Sequence, residues 1–271
     1  MNQRKASEIL EPNTKTKIMR VDNATCSNYE IVKFIKETND AQEILKDFIG
    51  KNKLDPKFIS LGENCSTAWY LKQLGLKNES FPFDWIFTSP EIVLDCINDR
   101  FKKYLDKSLI KPKNNHTSAG HDYYHSNFFA HRNPLRSEED YNYYERSCQR
   151  FLNNIELQEP SYYLITLINE SAKRPGWANG FVNNFSMPVN QNHSAIAELT
   201  ERLKIINHNC RFIVIDHYTS SNRHVIAQRI NQNLMSIKFS AGGNSTGVFY
   251  QDHLDDFCFK LIMTGLYGNM K

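Results

Sequence analysis

The chain has no CxxC pair, no block of like charge, and no apolar run near the roughly 18 residues a membrane helix needs. Each absence removes a class of protein. Its six cysteines follow neither zinc-ribbon nor disulfide-scaffold spacing, so reduced thiols and no metal site are expected. The 33 basic and 30 acidic residues are interspersed and leave a net charge of +3, which is not the electrostatic footprint of a nucleic-acid binder. The opening MNQRKASEILEPNTK lacks the apolar centre of a secretion signal, so a cytoplasmic protein with no membrane partner is expected. Sequons at Asn78, Asn115 and Asn192 then reflect the abundance of asparagine. No internal repeat or low-complexity tract occurs, and no cofactor is expected.

What is present is a core: 40% hydrophobic and 12% aromatic residues over 271 positions suffice for a substantial globular unit. Residues 1–56 read as a polar leader followed by a helical extension, YEIVKFIKETNDAQEILKDFIG, apolar at Ile31, Phe34, Ile35, Ile44, Leu45 and Phe48. Residues 57–271 read as a single α/β domain. KFISLG is a short apolar strand ending in glycine, and a helix bearing Ala68, Leu71 and Leu74 begins just after Cys65. Ser89-Pro90-Glu91 starts a further helix, expected to run to about Tyr104. Three more strand candidates follow: SYYLITLI, RFIVIDHY and LMSIKFS. Helical stretches are expected between them at residues 196–206 and 223–230. Strands apolar on both faces, alternating with helices, imply a three-layer α/β fold: a mostly parallel sheet flanked by helices, of flavodoxin/SGNH type, with a helical N-terminal extension.

Five cysteines have ordinary places. Cys96, Cys148 and Cys258 fall on apolar helix stripes, Cys210 at the mouth of a strand, and Cys26 in the leader. Cys65 falls at a strand-to-helix turn. In a parallel sheet the carboxyl ends of the strands are where ligands bind, and the first turn of the next helix offers free N–H groups and a partial positive potential. A thiol there gains thiolate character, and the same N–H groups could hold an oxyanion. The layout follows the logic of the nucleophile elbow of serine hydrolases. The alternative of a merely buried thiol stays open on spacing alone.

ISLGENCSTAWYLKQLGL, then FPFDW, then a Phe and His pair ahead of a helix with RFLNNI, resembles a bacterial family named for papain-like cysteine peptidases. The resemblance covers about Lys57 to Ile155 and rests on Ser60-Leu61-Gly62, Asn64-Cys65, Asp84-Trp85, His131 and Arg150-Phe151-Leu152. It implies a nucleophile, Cys65, with His131 as its base, because a Cys–His pair is the minimum for acyl transfer through a thioester. Asp84 is the candidate third member, with a turn residue capping its own loop as the competing role. Gly62, Asn64, Ser66 and Trp85 are candidates for contacting substrate. The family name implies an antiparallel sheet, whereas the periodicity implies a parallel one, and the parallel sheet is the expectation.

Two other histidines compete for the role of base. His217 follows the IVID strand, and His253 lies in QDHLDDF, where the order of Asp and His is the reverse of that usual in flavodoxin-like hydrolases. An acidic first turn favoured by the helix dipole accounts for that segment equally well. His121, His125 and His131 would share a face if their segment were extended, which would suit a metal, but no acidic ligand shares the spacing. The expected activity is a cysteine hydrolase acting on a peptide, amide or ester, glycan-linked substrates included. The alternatives are a coenzyme A-dependent acyltransferase of surface-glycan biosynthesis, since the turn is similar to a Gly-Asn-Cys-Gln motif from which Glu63 and Ser66 depart, and a non-catalytic binding protein. Lys72, Arg132 and Arg136 could meet coenzyme phosphates or serve as ordinary surface residues.

Overall fold

The computed structural model describes residues 27–50, 56–113, 116–168, 179–185 and 193–268. The leader with Cys26, and the sequons at Asn115 and Asn192, lie outside them. Five strands form one sheet: β1 (Lys57–Ser60), β4 (Ser161–Ile168), β5 (Cys210–Tyr218), β7 (Leu234–Ser240) and β6 (His224–Arg229), in the spatial order β1-β4-β5-β7-β6. The first four run parallel, and β6 pairs antiparallel with β7. A small antiparallel ribbon of β2 (Ile110–Pro112) and β3 (Ala119–His121) stands apart. The mostly parallel α/β architecture expected from the sequence is present, with β1 at an edge of the sheet rather than inside it as the flavodoxin order would have it.

The sheet separates two cores because its strands bury both faces, as all eight positions of β4 do. Ile59, Tyr163, Ile165, Phe212 and Val214 face α3 (Pro90–Asn98), α4 (Glu138–Glu156) and α5 (His193–Ile206). Phe58, Tyr162, Leu164, Ile213, Ile215, Ile237 and Phe239 face α1 (Asn28–Ile49), α2 (Ser66–Gln73) and α6 (His253–Thr264). A 3-10 turn, Gly265–Tyr267, closes the described chain. No helix among the described residues is long and apolar enough to cross a membrane.

Two segments differ from expectation. Residues 223–230 were expected to be helical, since Ala, Gln and Arg favour that state, but His224–Arg229 is an edge strand. The pairing of β6 with β7 and the cover of α1 override a weak local preference: Val225 is buried, while Ile226 on the other face is exposed. The helix after Pro90 stops at Asn98, where Arg100 and Phe101 take positive φ of 58° and 61° and turn the chain back toward the core. The helix of the N-terminal extension packs as part of the body. Ser27 and Glu30 form a reciprocal cap at its start, and Phe34, Leu45 and Phe48 enter the core. Its Glu37 carboxylate accepts the Val225 N–H at 3.0 Å, satisfying a donor of the sheet edge.

His217 ends β5 inside this second core, stacked on Tyr250 and bonded to the Tyr250 hydroxyl through Nδ1. Burial lowers its pKa from the ordinary 6.5 to about 3, so the folded ring is neutral. The unfolded chain binds a proton below pH 6.5 that the folded chain refuses, so stability is full above that pH and declines as pH falls. The decline is about 1.4 kcal/mol per pH unit. Urea unfolding at neutral pH and near pH 5 should therefore show wild type losing about 2 kcal/mol more than His217→Gln; equal losses would contradict a neutral buried ring. Phe34, fully buried with its ring 5.7 Å from that of Phe239, provides a second check. Phe34→Ala should cost about 3–5 kcal/mol in the same assay. A loss below about 1 kcal/mol would mean that α1 is a dispensable appendage.

Candidate active site

β1 continues past its last residue toward the end of β4: Leu61 N–H donates to Leu164 O at 2.8 Å and Glu63 N–H to Thr166 O at 3.1 Å. The Glu63 side chain, 1% exposed, reaches further along β4, where its carboxylate accepts the Ile168 N–H at 2.7 Å. The turn is thereby held against the carboxyl edge of the sheet. Gly62 permits the tight approach of α2, since a β-carbon there would lie 2.7 Å from Thr67 Oγ1. Thr67 in turn contacts Thr166 of β4 through their hydroxyls. Asn64 accepts the Ser66 N–H on its side-chain oxygen at 3.0 Å, and Cys65 occupies the N-cap position of α2.

The Cys65 sulfur lies 3.0 Å from His131 Nε2. The two are 66 positions apart in sequence, and the loop between α3 and α4 carries the histidine over the edge of the sheet. Aromatic packing fixes that loop: Phe128 and Phe129 are fully buried against Tyr104, and Phe87 N–H donates to Phe128 O. The imidazole is exposed on its outer side and meets Trp85 edge-on, ring centres 6.3 Å apart.

Burial pushes the Cys65 thiol up to about 12, with the negative charge of Asp84 adding to the rise and the residue's own N–H opposing it. A helix N-terminus stabilises an anion by about 0.3–1 kcal/mol, less than one pKa unit, so desolvation outweighs the dipole. Burial also lowers the pKa of His131. At neutral pH the resting pair is therefore a neutral thiol beside a neutral imidazole rather than an ion pair. Raised thiols are not peculiar to this site: Cys96, Cys148, Cys210 and Cys258 are buried and shifted in the same direction. Geometry distinguishes Cys65, which alone among the described cysteines has an imidazole nitrogen at hydrogen-bonding distance.

The other sequence candidates separate. Asp84 is 2% exposed and its carboxylate holds the Phe81 N–H at 2.7 Å and the ammonium of Lys77, so it braces the FPFDW turn that presents Trp85. His217 is committed to Tyr250 in the opposite core. His253 is an exposed residue of the first turn of α6. The acidic residues around it have structural partners: Asp252 caps the helix, Asp255 pairs with Arg223, and Asp256 accepts the Tyr70 hydroxyl at 2.7 Å. The three loop histidines diverge. His121 Nε2 meets Lys103 O at 3.0 Å, His125 Nδ1 accepts the Asn127 N–H at 2.9 Å, and His131 faces Cys65. Among the described residues no group of three or more ligating side chains could hold a metal. Arg132 and Arg136 both pair with Asp140, and Lys72 is exposed.

Sequence reasoning missed Glu63, a glutamate buried by the turn it secures, and the Thr67–Thr166 contact. No local pattern announces either, because both partners come from a strand about a hundred positions away.

No solved structure matches the chain. A short stretch is 59% identical over 32 residues to "Uncharacterized protein R408" of Acanthamoeba polyphaga mimivirus, covering 12% of this chain and 14% of that protein. The chain thus spans well under two thirds of that relative's length. A family model matches residues 56–217, from the start of β1 to the end of β5. With β1, Cys65, Trp85 and His131 all inside that match, the chain belongs to the family described as "Putative papain-like cysteine peptidase (DUF1796)".

Proposed function

We propose that the protein is a cysteine-dependent hydrolase of peptide, amide or ester bonds that acts through a thioester on Cys65. The observation that carries this reading is the 3.0 Å approach of Cys65 Sγ to His131 Nε2 at a strand-to-helix turn. His131 Nε2 takes the thiol proton as sulfur attacks the carbonyl carbon, and the carbonyl electron pair moves onto oxygen. When that pair returns, the bond to the leaving amine or alkoxide breaks and the histidine supplies it with the proton. Water, deprotonated by the same nitrogen, then attacks the thioester, releasing the acid and restoring the thiol.

The described structure supports a dyad, since the candidate acid Asp84 is occupied by Lys77 and the Phe81 N–H. Gly62 and Ser66 shape the turn, and Trp85 beside the imidazole offers the substrate an aromatic wall.

Treatment with iodoacetamide at neutral pH, followed by intact-mass and peptide analysis, should modify Cys65 ahead of the four other described cysteines. His131→Ala should slow that reaction by about 10²-fold, the scale of a lost general base, while His217→Ala and His253→Ala should leave it unchanged. Loss of labelling in either of the latter variants would move the base elsewhere. Labelling of Cys65 no faster than of Cys96 would indicate a non-catalytic thiol. A rise in melting temperature with coenzyme A would favour acyl transfer over hydrolysis.

A further inference from the structure

Asn64 carries an orphan. Its side chain is 2% exposed, and its Nδ2 is a buried nitrogen with no hydrogen-bond partner. The orientation of the amide is not ambiguous: the Ser66 backbone N–H can only donate, so the atom it meets at 3.0 Å is the carbonyl oxygen and the other terminus is the NH₂. Two N–H donors are therefore held in a fixed plane, in the residue directly before the nucleophile. Leaving them dry is unfavourable, and native proteins satisfy nearly all such groups. Gly247, with φ of 88°, lies beside this amide: a β-carbon built on it would come to 4.0 Å from Asn64 Nδ2.

Resting on the assignment of Cys65 and His131, we propose that the Asn64 side-chain amide is the oxyanion donor of the reaction. As sulfur adds to the carbonyl carbon, the oxygen gains a full negative charge, and an amide N–H already oriented and stripped of water stabilises that charge without reorganising. The donor is wasted in the resting state and used in the tetrahedral intermediate, which is the differential binding that accelerates a reaction. The carbonyl oxygen of Asn64 has a separate task, holding the first N–H of α2 and so the direction of the amide. Asn64 is thus anchored at the oxygen of its amide and unpaired at the nitrogen, a combination that a buried asparagine serving structure alone does not need.

The two roles can be separated by choice of electrophile. Iodoacetamide alkylates sulfur by direct displacement and forms no oxyanion, whereas p-nitrophenyl acetate acylates it through a tetrahedral one. Asn64→Ala removes both the cap and the donor; Asn64→Ser keeps an oxygen able to accept the Ser66 N–H while withdrawing the amide. In both variants the p-nitrophenolate burst should slow by about 10²–10³-fold, while alkylation of Cys65 stays within about threefold of wild type and the melting curve remains cooperative. Equal slowing of both reactions would assign Asn64 to positioning the thiol, and an unchanged burst would exclude it as the donor. If wild type itself is alkylated at Cys65 but shows no burst, the acyl-transfer reading fails, a result distinct from either of these.

Discussion

The parallel pairing of β1 with β4 is the constraint on which the site depends. β1 has only four residues, yet its register is prolonged through Leu61 and Glu63 until the turn itself is bonded to the end of β4. A parallel ladder does not end in a hairpin, so the chain must leave the sheet edge and return through a helix. Glu63 adds a carboxylate clamp on Ile168, and the turn then has one direction in which to release α2. Cys65, as its N-cap, is set at the carboxyl edge of the sheet, the face where α/β proteins place their chemistry.

From that fixed point the remaining parts take their places by packing. The loop that brings His131 has little regular structure and is held by aromatic contacts among Tyr104, Tyr124, Phe128 and Phe129. Asp84 and Lys77 form a buried pair that braces the turn of Trp85; burial holds the Asp84 carboxyl above its ordinary range, and Lys77 and the Phe81 N–H offset that cost only in part. The Asp84 charge opposes a thiolate at Cys65, so this acid shapes the turn rather than activating the thiol. In the proposed reaction, activation falls to His131. The family match ends at His217, and the described segments outside it, α1, β6, β7 and α6, largely build the second core behind the nucleophile's helix.

Much of the architecture was legible because it depends on local pattern. Apolar runs such as SYYLITLI announce strands buried on both faces, and Ser89-Pro90-Glu91 announces a helix start. The stretch HVIAQR could not be read in this way. Its residues suit a helix, and only the antiparallel edge offered by β7, with α1 laid across it, makes a strand the better state. Cys65 was distinguishable from the other cysteines by its place after a strand ending in glycine, since a strand-to-helix turn leaves a sequence trace. Local pattern did not choose among His131, His217 and His253; His131 was preferred only through the family resemblance. Their separation in space is set by which core each segment packs into.

Periodicity and turn chemistry act over a few residues, and they alone encode the alternation of strands and helices, the strand-to-helix turn that bears Cys65, and the lack of an apolar run of membrane length. Tertiary structure decided which imidazole meets the thiol, which carboxylates are spent on lysine, arginine or backbone, and which amide of the turn is left unpaired. Those outcomes are set by contacts between positions far apart in the chain, and by burial that moves Cys65 and His131 to neutral states no local pattern encodes.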